Sequence, residues 1–287
     1  MSKNNTILST INGDIRDKNI LFQEIGHKYT IIDDPYSKYV SVTTWNHSHF
    51  PKFDSDDIIQ KMMKSKSWKK GHKYWGQTVE QIKQLWEKNR NKAAGAGTDI
   101  HYEIECFMNR PELPHNYTHK ELSEDNVKQF VDGTDTNSNT ISETPEWEYF
   151  LKFVQDFPEL KPYRTEWMIY DEDVKLAGSI DMVYENPDGT LSIYDWKRAA
   201  NITKFNTWNK YAIPHCISQF PDSNFWHYAL QLNTYKTILE RKYGKKIKDL
   251  FLVRLHPDCE EKTYELIGVP FLEKEMNELF EERKKHL

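Results

Sequence analysis

Asp181, Asp195 and Lys197 are the residues whose types and spacing first suggest chemistry. Asp181 lies in the apolar run Leu176–Tyr184, and Asp195 and Lys197 close the run Leu191–Lys197. Both runs read as strands, with Asn186-Pro187-Asp188-Gly189 turning the chain between them. Strand side chains alternate, so Asp195 and Lys197 share one face and Trp196 points to the other. If Pro187-Asp188-Gly189 forms a three-residue turn, Asn186 pairs with Thr190 and the ladder sets Asp181 directly opposite Asp195. Opposed Cβ atoms in an antiparallel pair are about 5 Å apart. Two carboxylates there repel, so a cation is expected between them, either a divalent metal or a basic side chain. Two solvent-facing aspartates are the alternative. Against it, Ile180, Met182, Val183, Ile193, Tyr194 and Trp196 make these strands apolar on both faces. An oxygen-rich cluster suits Mg²⁺ or Mn²⁺. A metal held there polarises a phosphate and lowers the pKa of a bound water, and Lys197 adds a charge-assisted donor where negative charge develops. The cluster would serve any metal hydrolase.

Two further pairs sit at helical spacing. His101 and Glu105 are four residues apart in Thr98–Phe107, on one helix face. Gln231 and Tyr235 are four apart in Trp226–Tyr243. A single histidine is more often a structural hydrogen-bonder than a ligand, and a Gln–Tyr pair alone reads as an interface contact.

The order of these pieces is more specific than any one of them. Gly97-Thr98-x-x-His101-x-x-Ile104-Glu105 comes first, then Glu166, Gly178-x-x-Asp181, Asp195-Trp196-Lys197 and Gln231-x-x-x-Tyr235. This series resembles the RecB-type branch of the PD-(D/E)XK nuclease superfamily. The G-T-x-x-H-x-x-I-E and Asp-Trp-Lys forms are similar to those of the mitochondrial genome-maintenance exonucleases and related viral nucleases. The resemblance runs from about Ser41 to the C-terminus. It implies an α/β fold, a single PD-(D/E)XK-type domain with a central mixed β-sheet flanked by helices. It also implies that His101, Asp181 and Asp195 bind metal with the backbone carbonyl of Trp196. Glu105 would support His101 or a second metal position. Lys197 would position or help deprotonate the attacking water, and Glu166 would act through water or a second metal. Gln231 and Tyr235 would hold the substrate backbone and the active-site strands. One departure is that Gly178-Ser179-Ile180 stands where the superfamily's proline would precede Asp181.

These residues need elements to carry them. Helices are expected from Asp54 or Ser55 through residue 65, over Gln77–Phe107 with a flexible Ala-Ala-Gly-Ala-Gly inside, and over Glu146–Phe157, Trp226–Tyr243 and Phe271–Leu287. Strands are expected at Glu166–Tyr170, Leu176–Tyr184, Leu191–Lys197, Leu250–Leu255 and Thr263–Val269, with short β-prone pieces between Ile20 and Val42. Residues 1–18 read as a flexible N-terminus and 19–287 as one nuclease domain. Within it, a helical portion covers about 41–107, a polar insertion 109–145 and the catalytic sheet core 146–287.

Composition narrows the class. The chain has 287 residues, a net charge of -5 and 38% hydrophobic residues, with 14 Phe, 9 Trp and 16 Tyr supplying large buried area. No apolar run is long enough to span a membrane. Three scattered cysteines, Cys106, Cys216 and Cys259, exclude a disulfide framework and an iron–sulfur cluster with four Cys ligands, and fit an intracellular setting. The substrate track is expected along the lysine-rich segment 61–73, with Lys64, Lys66, Lys69 and Lys70 around Trp68, and near the site at Arg198, Lys204, Trp208, Lys210 and Tyr211. A solvated charged helix face is the alternative for the first of these. The resulting reading is a Mg²⁺- or Mn²⁺-dependent deoxyribonuclease, an exonuclease on single-stranded DNA ends, serving replication or repair. A structure-specific or flap endonuclease with the same site and a catalytically silent nucleic-acid-binding subunit are the alternatives. The Asn- and Lys-rich composition suits an AT-rich genome such as a virus's.

Overall fold

The computed structural model describes residues 6–111, 113–122 and 144–287. In chain order these form α1 (Ile7–Ile11), β1 (Ile20–Gln23), β2 (Lys28–Ile31), β3 (Val40–Ser41), α2 (Val42–His47), α3 (Ser55–Met63) and α4 (Val79–Met108). Then follow α5 (Pro145–Asp156), β4 (Lys161–Asp171), β5 (Leu176–Glu185), β6 (Leu191–Lys197), α6 (Asn224–Lys242), β7 (Ile247–Arg254), β8 (Glu265–Gly268) and α7 (Glu273–Lys284).

Strands β4, β5 and β6 form an antiparallel meander, as their turn signals require. Strand β7 then adds parallel to β6 after the α6 crossover, and β8 closes that edge antiparallel. The result is a central mixed sheet flanked by helices. Val183, Leu191, Ile193 and Leu252 pack against Trp45, Leu230, Ile238 and Phe280 from α2, α6 and α7. Met182, Tyr184, Tyr194, Trp196 and Val253 cover the opposite face against Ile104, Phe107, Trp147, Phe150 and Phe153 from α4 and α5. Each large side chain so buried contributes roughly 1.5–3 kcal/mol.

The sheet opens along one edge of β5. Leu176 and Ala177 pair with β4 on one side and with β3 on the other, and β6 takes that second side only from Met182 onward. Between the two, Gly178–Asp181 has no registered strand partner on that edge. Helix α2 starts there, with Ser41 Oγ accepting the Thr44 N–H at 3.1 Å as its N-cap.

Some elements differ from the sequence reading. Helix α4 runs unbroken through Gly95 and Gly97, started by a capping box between Thr78 and Gln81. Its later turns bury Ile100, Ile104, Phe107 and Met108, which offsets the roughly 1 kcal/mol that each glycine costs a helix. Of residues 1–18, those from 6 onward are folded: Leu8 is buried and its N–H donates to Asn109 Oδ1 at 3.0 Å. Asp17 accepts from Arg164 at 2.7 Å and from Trp167 Nε1 at 3.0 Å. Of the polar insertion, Leu113, Tyr117 and Leu122 are buried in the α4–α5 core, whereas residues 123–143 lie outside the described residues.

Gly178 is where the opening meets α6. A Cβ there would lie 2.8 Å from Tyr235 Cε1 and 3.2 Å from Val42 Cγ2. Gly178→Ala is expected to destabilise the protein by about 1–3 kcal/mol, read as a lowered Tm. Tyr235→Leu should relieve part of that loss, so the double variant should be more stable than the sum of the two single effects. Strict additivity would show that the ring does not limit this position.

Candidate active site

Five elements converge at the opening. Strand β5 brings Asp181, β6 brings Asp195 and Lys197, β4 brings Glu166, α4 brings His101, and α6 brings Gln231 and Tyr235. The hairpin register pairs Met182 with Tyr194 and Glu185 with Leu191. The Asn186 N–H bonds the Thr190 carbonyl at 2.8 Å. Continuing that ladder inward sets Asp181 opposite Asp195, as the sequence implied. There Asp181 Oδ2 accepts the Trp196 N–H at 3.0 Å, while β6 stays paired with β7 through Lys197.

The expected cation is in part a side chain. Lys197 Nζ lies 2.6 Å from Asp195 Oδ2, with Asp195 2% exposed. Burial opposes the Lys197 ammonium, but Asp195 and Asp181 outweigh it and hold its pKa above the ordinary lysine value. Burial also pushes the Asp195 carboxyl up to about 6, with Asp181 adding to the rise and Lys197 opposing it. Lys197 further donates to Gln231 Oε1 at 3.4 Å and stands over the Tyr228 ring at 4.6 Å. Gln231 Nε2 in turn donates to Tyr235 Oη at 3.1 Å.

A second group of atoms faces inward without an ammonium or guanidinium among them. His101 Nε2 is 2.9 Å from the Trp196 carbonyl. A carbonyl only accepts, so Nε2 carries the hydrogen, and the neutral ring keeps its lone pair on Nδ1. That Nδ1 is 3.6 Å from Asp181 Oδ2 and 3.9 Å from Glu166 Oε1. Three acceptors turned on one another require a proton or a metal ion among them. His101, Glu166 and Asp181 form the cluster with metal-ligand spacing found among the described residues. Asp195, which the sequence placed among the ligands, is outside that cluster: its Oδ2 faces Lys197, and its Oδ1 is buried without a hydrogen-bond partner. One imidazole nitrogen and several carboxylate oxygens fit a divalent metal such as Mg²⁺ or Mn²⁺. The Trp196 carbonyl, 2.9 Å from His101 Nε2, orients the ring, a hydrogen bond of the kind common behind metal-binding histidines.

Glu166 is also a backbone exception. It sits mid-strand with φ of 42°, and the register passes over it between Thr165↔Met182 and Trp167↔Ile180. Left-handed backbone at a non-glycine residue is uncommon, and here it turns the carboxylate toward Asp181 and Ser179. Ser179 Oγ donates to Glu166 Oε2 at 2.9 Å. Burial first, then the charge of Asp181, push the Glu166 carboxyl up to about 7. Glu105 is buried behind it, lining a small recess with Glu166 and Arg164.

His101, Asp181, Lys197, Gln231 and Tyr235 line one cleft of about 290 Å³. Arg198 does not reach it. The strand alternation sends it to the far face, where its Nε bonds Glu146 of α5 at 2.7 Å. Lys64, Lys69 and Lys70 are exposed on and after α3 and do not line the cleft. The cleft also holds Thr43, His47 and His227, which the sequence reading missed. His227 was within reach of it, since 227, 231 and 235 continue one face of α6.

A family model for the PD-(D/E)XK nuclease superfamily matches residues 72–286, most of the chain. No curated protein matches the sequence. Among solved structures, the crystal structure of a candidate exonuclease from Eubacterium rectale matches at 14% identity over 67% of this chain, with a TM-score of 0.30. The match spans 62% of that protein's length.

The raised carboxyl predicts a pH effect on stability. A carboxyl whose pKa is higher folded than unfolded stabilises the fold below its ordinary value, and that contribution is lost as pH rises through the folded value. For Glu166 the window runs from about 4.5 to about 7. In chelator, Glu166→Gln should therefore raise Tm at pH 8 by several degrees and change it little at pH 5. An equal shift at both pH values would mean that the charge is not the source of the strain.

Proposed function

The chain belongs to the PD-(D/E)XK nuclease superfamily, and we propose that it is a divalent-metal-dependent deoxyribonuclease, an exonuclease acting on single-stranded ends. The observation that carries this reading is the convergence of His101 Nδ1, Asp181 Oδ2 and Glu166 Oε1 next to an ion-paired Lys197. His101, Asp181 and Glu166 would hold the metal, with Asp195 alongside and Glu105 behind. A bound divalent metal would supply Lewis acidity toward the phosphate and a more acidic water. Lys197, pinned by Asp195 and Gln231, keeps an ammonium where charge develops on the phosphorus oxygens. Because it stays protonated, it acts as a donor and not as a base. Gln231 and Tyr235 fix that ammonium and close the cleft wall.

The motif order supports placing the chain in the RecB-type branch, with residues 19–287 as one nuclease domain and a role in replication or repair. Single-stranded substrate is supported by the segment after β6. Phe205 and Trp208 are 80% and 75% exposed there. The segment is anchored where Asn224 Nδ2 bonds the Asn201 carbonyl at 2.7 Å and Trp226 Nε1 bonds the Lys204 carbonyl at 3.2 Å. Exposed rings on an anchored loop beside Lys204 and Lys210 suit the stacking of unpaired bases. Lys64, Lys69 and Lys70 would extend the basic track beyond the cleft.

End-labelled single- and double-stranded DNA and RNA, incubated with Mg²⁺, Mn²⁺ or chelator, test the reading. Cleavage should need metal, favour single-stranded DNA, and fall at least about 10³-fold in Asp181→Ala and in Asp195→Asn. Cleavage that survives chelator, or an active Asp195→Asn, would overturn it. Phe205→Ala with Trp208→Ala should weaken single-strand binding by about 1–3 kcal/mol per ring lost and leave duplex binding nearly unchanged. Equal losses on both substrates would remove the stacking role.

A further inference from the structure

The cleft contains a titratable cluster that the metal site does not use. His47 ends α2 and His227 lies in the first turn of α6, and both line the cleft with Lys197. Their Nδ1 atoms are 2.9 Å apart, and His227 Nε2 is 2.8 Å from Asp222 Oδ1. A carboxylate only accepts, so His227 Nε2 carries hydrogen and its Nδ1 is a lone pair in the neutral ring. The contact with His47 then requires His47 Nδ1 to donate, which leaves the His47 lone pair on Nε2. Phe50 stacks on the His227 ring, with centroids 3.9 Å apart and planes at 18°, and fixes its plane. The result is a hydrogen-bonded line from Asp222 through His227 to an unprotonated nitrogen on a cleft-lining ring.

Hydrolysis of a phosphodiester releases a proton from the attacking water. Lys197 is already protonated and ion-paired, so it cannot take that proton. On the nuclease reading His101, Glu166 and Asp181 would hold the metal. We propose that His47, backed by His227 and Asp222, accepts the proton of the attacking water, an assignment that rests on the nuclease reading. The water oxygen bonds phosphorus, the bond to the leaving oxygen breaks with its electron pair going to that oxygen, and the water's proton goes to His47 Nε2. The leaving oxygen takes a proton from bulk water. The imidazolium charge on His47 is met through His227 by the Asp222 carboxylate. The charged groups around His47 are His227, Asp222 and Lys197. Burial first, then His227 and Lys197, disfavour its protonated form against the pull of Asp222, so the ring rests ready to accept.

Single-turnover cleavage of single-stranded DNA with Mg²⁺ from pH 5 to 8.5, joined to a histidine NMR titration of metal-free protein, tests this. Wild type should lose rate toward acid as His47 protonates. His47→Gln should be slower by about 10²-fold or more at pH 7, lose that acid limb, and retain oligonucleotide affinity and Tm. Asp222→Asn should move both the limb and the His47 NMR midpoint to lower pH, since it removes the charge that favours the imidazolium. A His47→Gln rate within threefold of wild type with the limb intact would overturn the relay, as would an unmoved His47 midpoint in Asp222→Asn. Wild-type protein that cut no nucleic acid would overturn the nuclease reading itself, a result distinct from an active enzyme indifferent to His47.

Discussion

The structure turns on gathering negative oxygen at a place where the sheet cannot spread it out. Asp195 is all but inaccessible, Asp181 stands next in its ladder across the hairpin, and Glu166 is turned toward Asp181. Like charges in a low-dielectric interior are costly, and the surroundings read as a set of answers to that cost. Lys197, two residues on from Asp195 and on the same face, neutralises one carboxylate. A protonated carboxyl or a bound cation must neutralise the rest. Gln231 and Tyr228 steer the ammonium, and the Trp196 carbonyl steers the imidazole, so the neighbouring polar contacts serve this one imbalance.

The strand pairing makes the imbalance tolerable by giving it a wet boundary. A β5 edge left vacant between β3 and β6 creates a crevice without breaking the hydrogen-bonded ladder elsewhere. Ligand sites in α/β proteins favour such points, where neighbouring strands leave in different directions. The apolar clusters on both sheet faces are continuous up to this edge, so the charged atoms sit at the end of a rigid frame. Among the described glycines, Gly178 is where that frame approaches α6 too closely for a side chain.

The hairpin was legible because turn length and alternation fix register locally. Asn186 opposite Thr190 determines the face and partner of every residue back to Asp181. The helices of the second half follow from periodicity in the same way, whereas the α/β class rested on the resemblance. What stayed hidden depends on contacts distant in sequence. Helix α2 is too short for a periodic signal, and its His47 meets His227 across 180 residues. Residues 6–18 look polar, yet Leu8 and Asp17 are held by Asn109, Arg164 and Trp167. Arg198 carried the right charge, but strand alternation gave it to Glu146. Glu166 was expected at the site, whereas its left-handed backbone has no signature in a run that otherwise reads as plain strand.

That backbone angle also constrains how the site can drift over evolutionary time. At 166 the main chain tolerates Gly, Asn and Asp best and resists Val, Ile and Thr most, while a metal ligand of the proposed kind would need a carboxylate. Only two amino acids meet the second demand, and the shorter of them meets the first more comfortably. A lineage that keeps the site can therefore exchange glutamate for aspartate there. One that abandons it has no conformational reason to keep an acid, and glycine or asparagine at this position would be the mark of a chain whose nuclease site has lapsed.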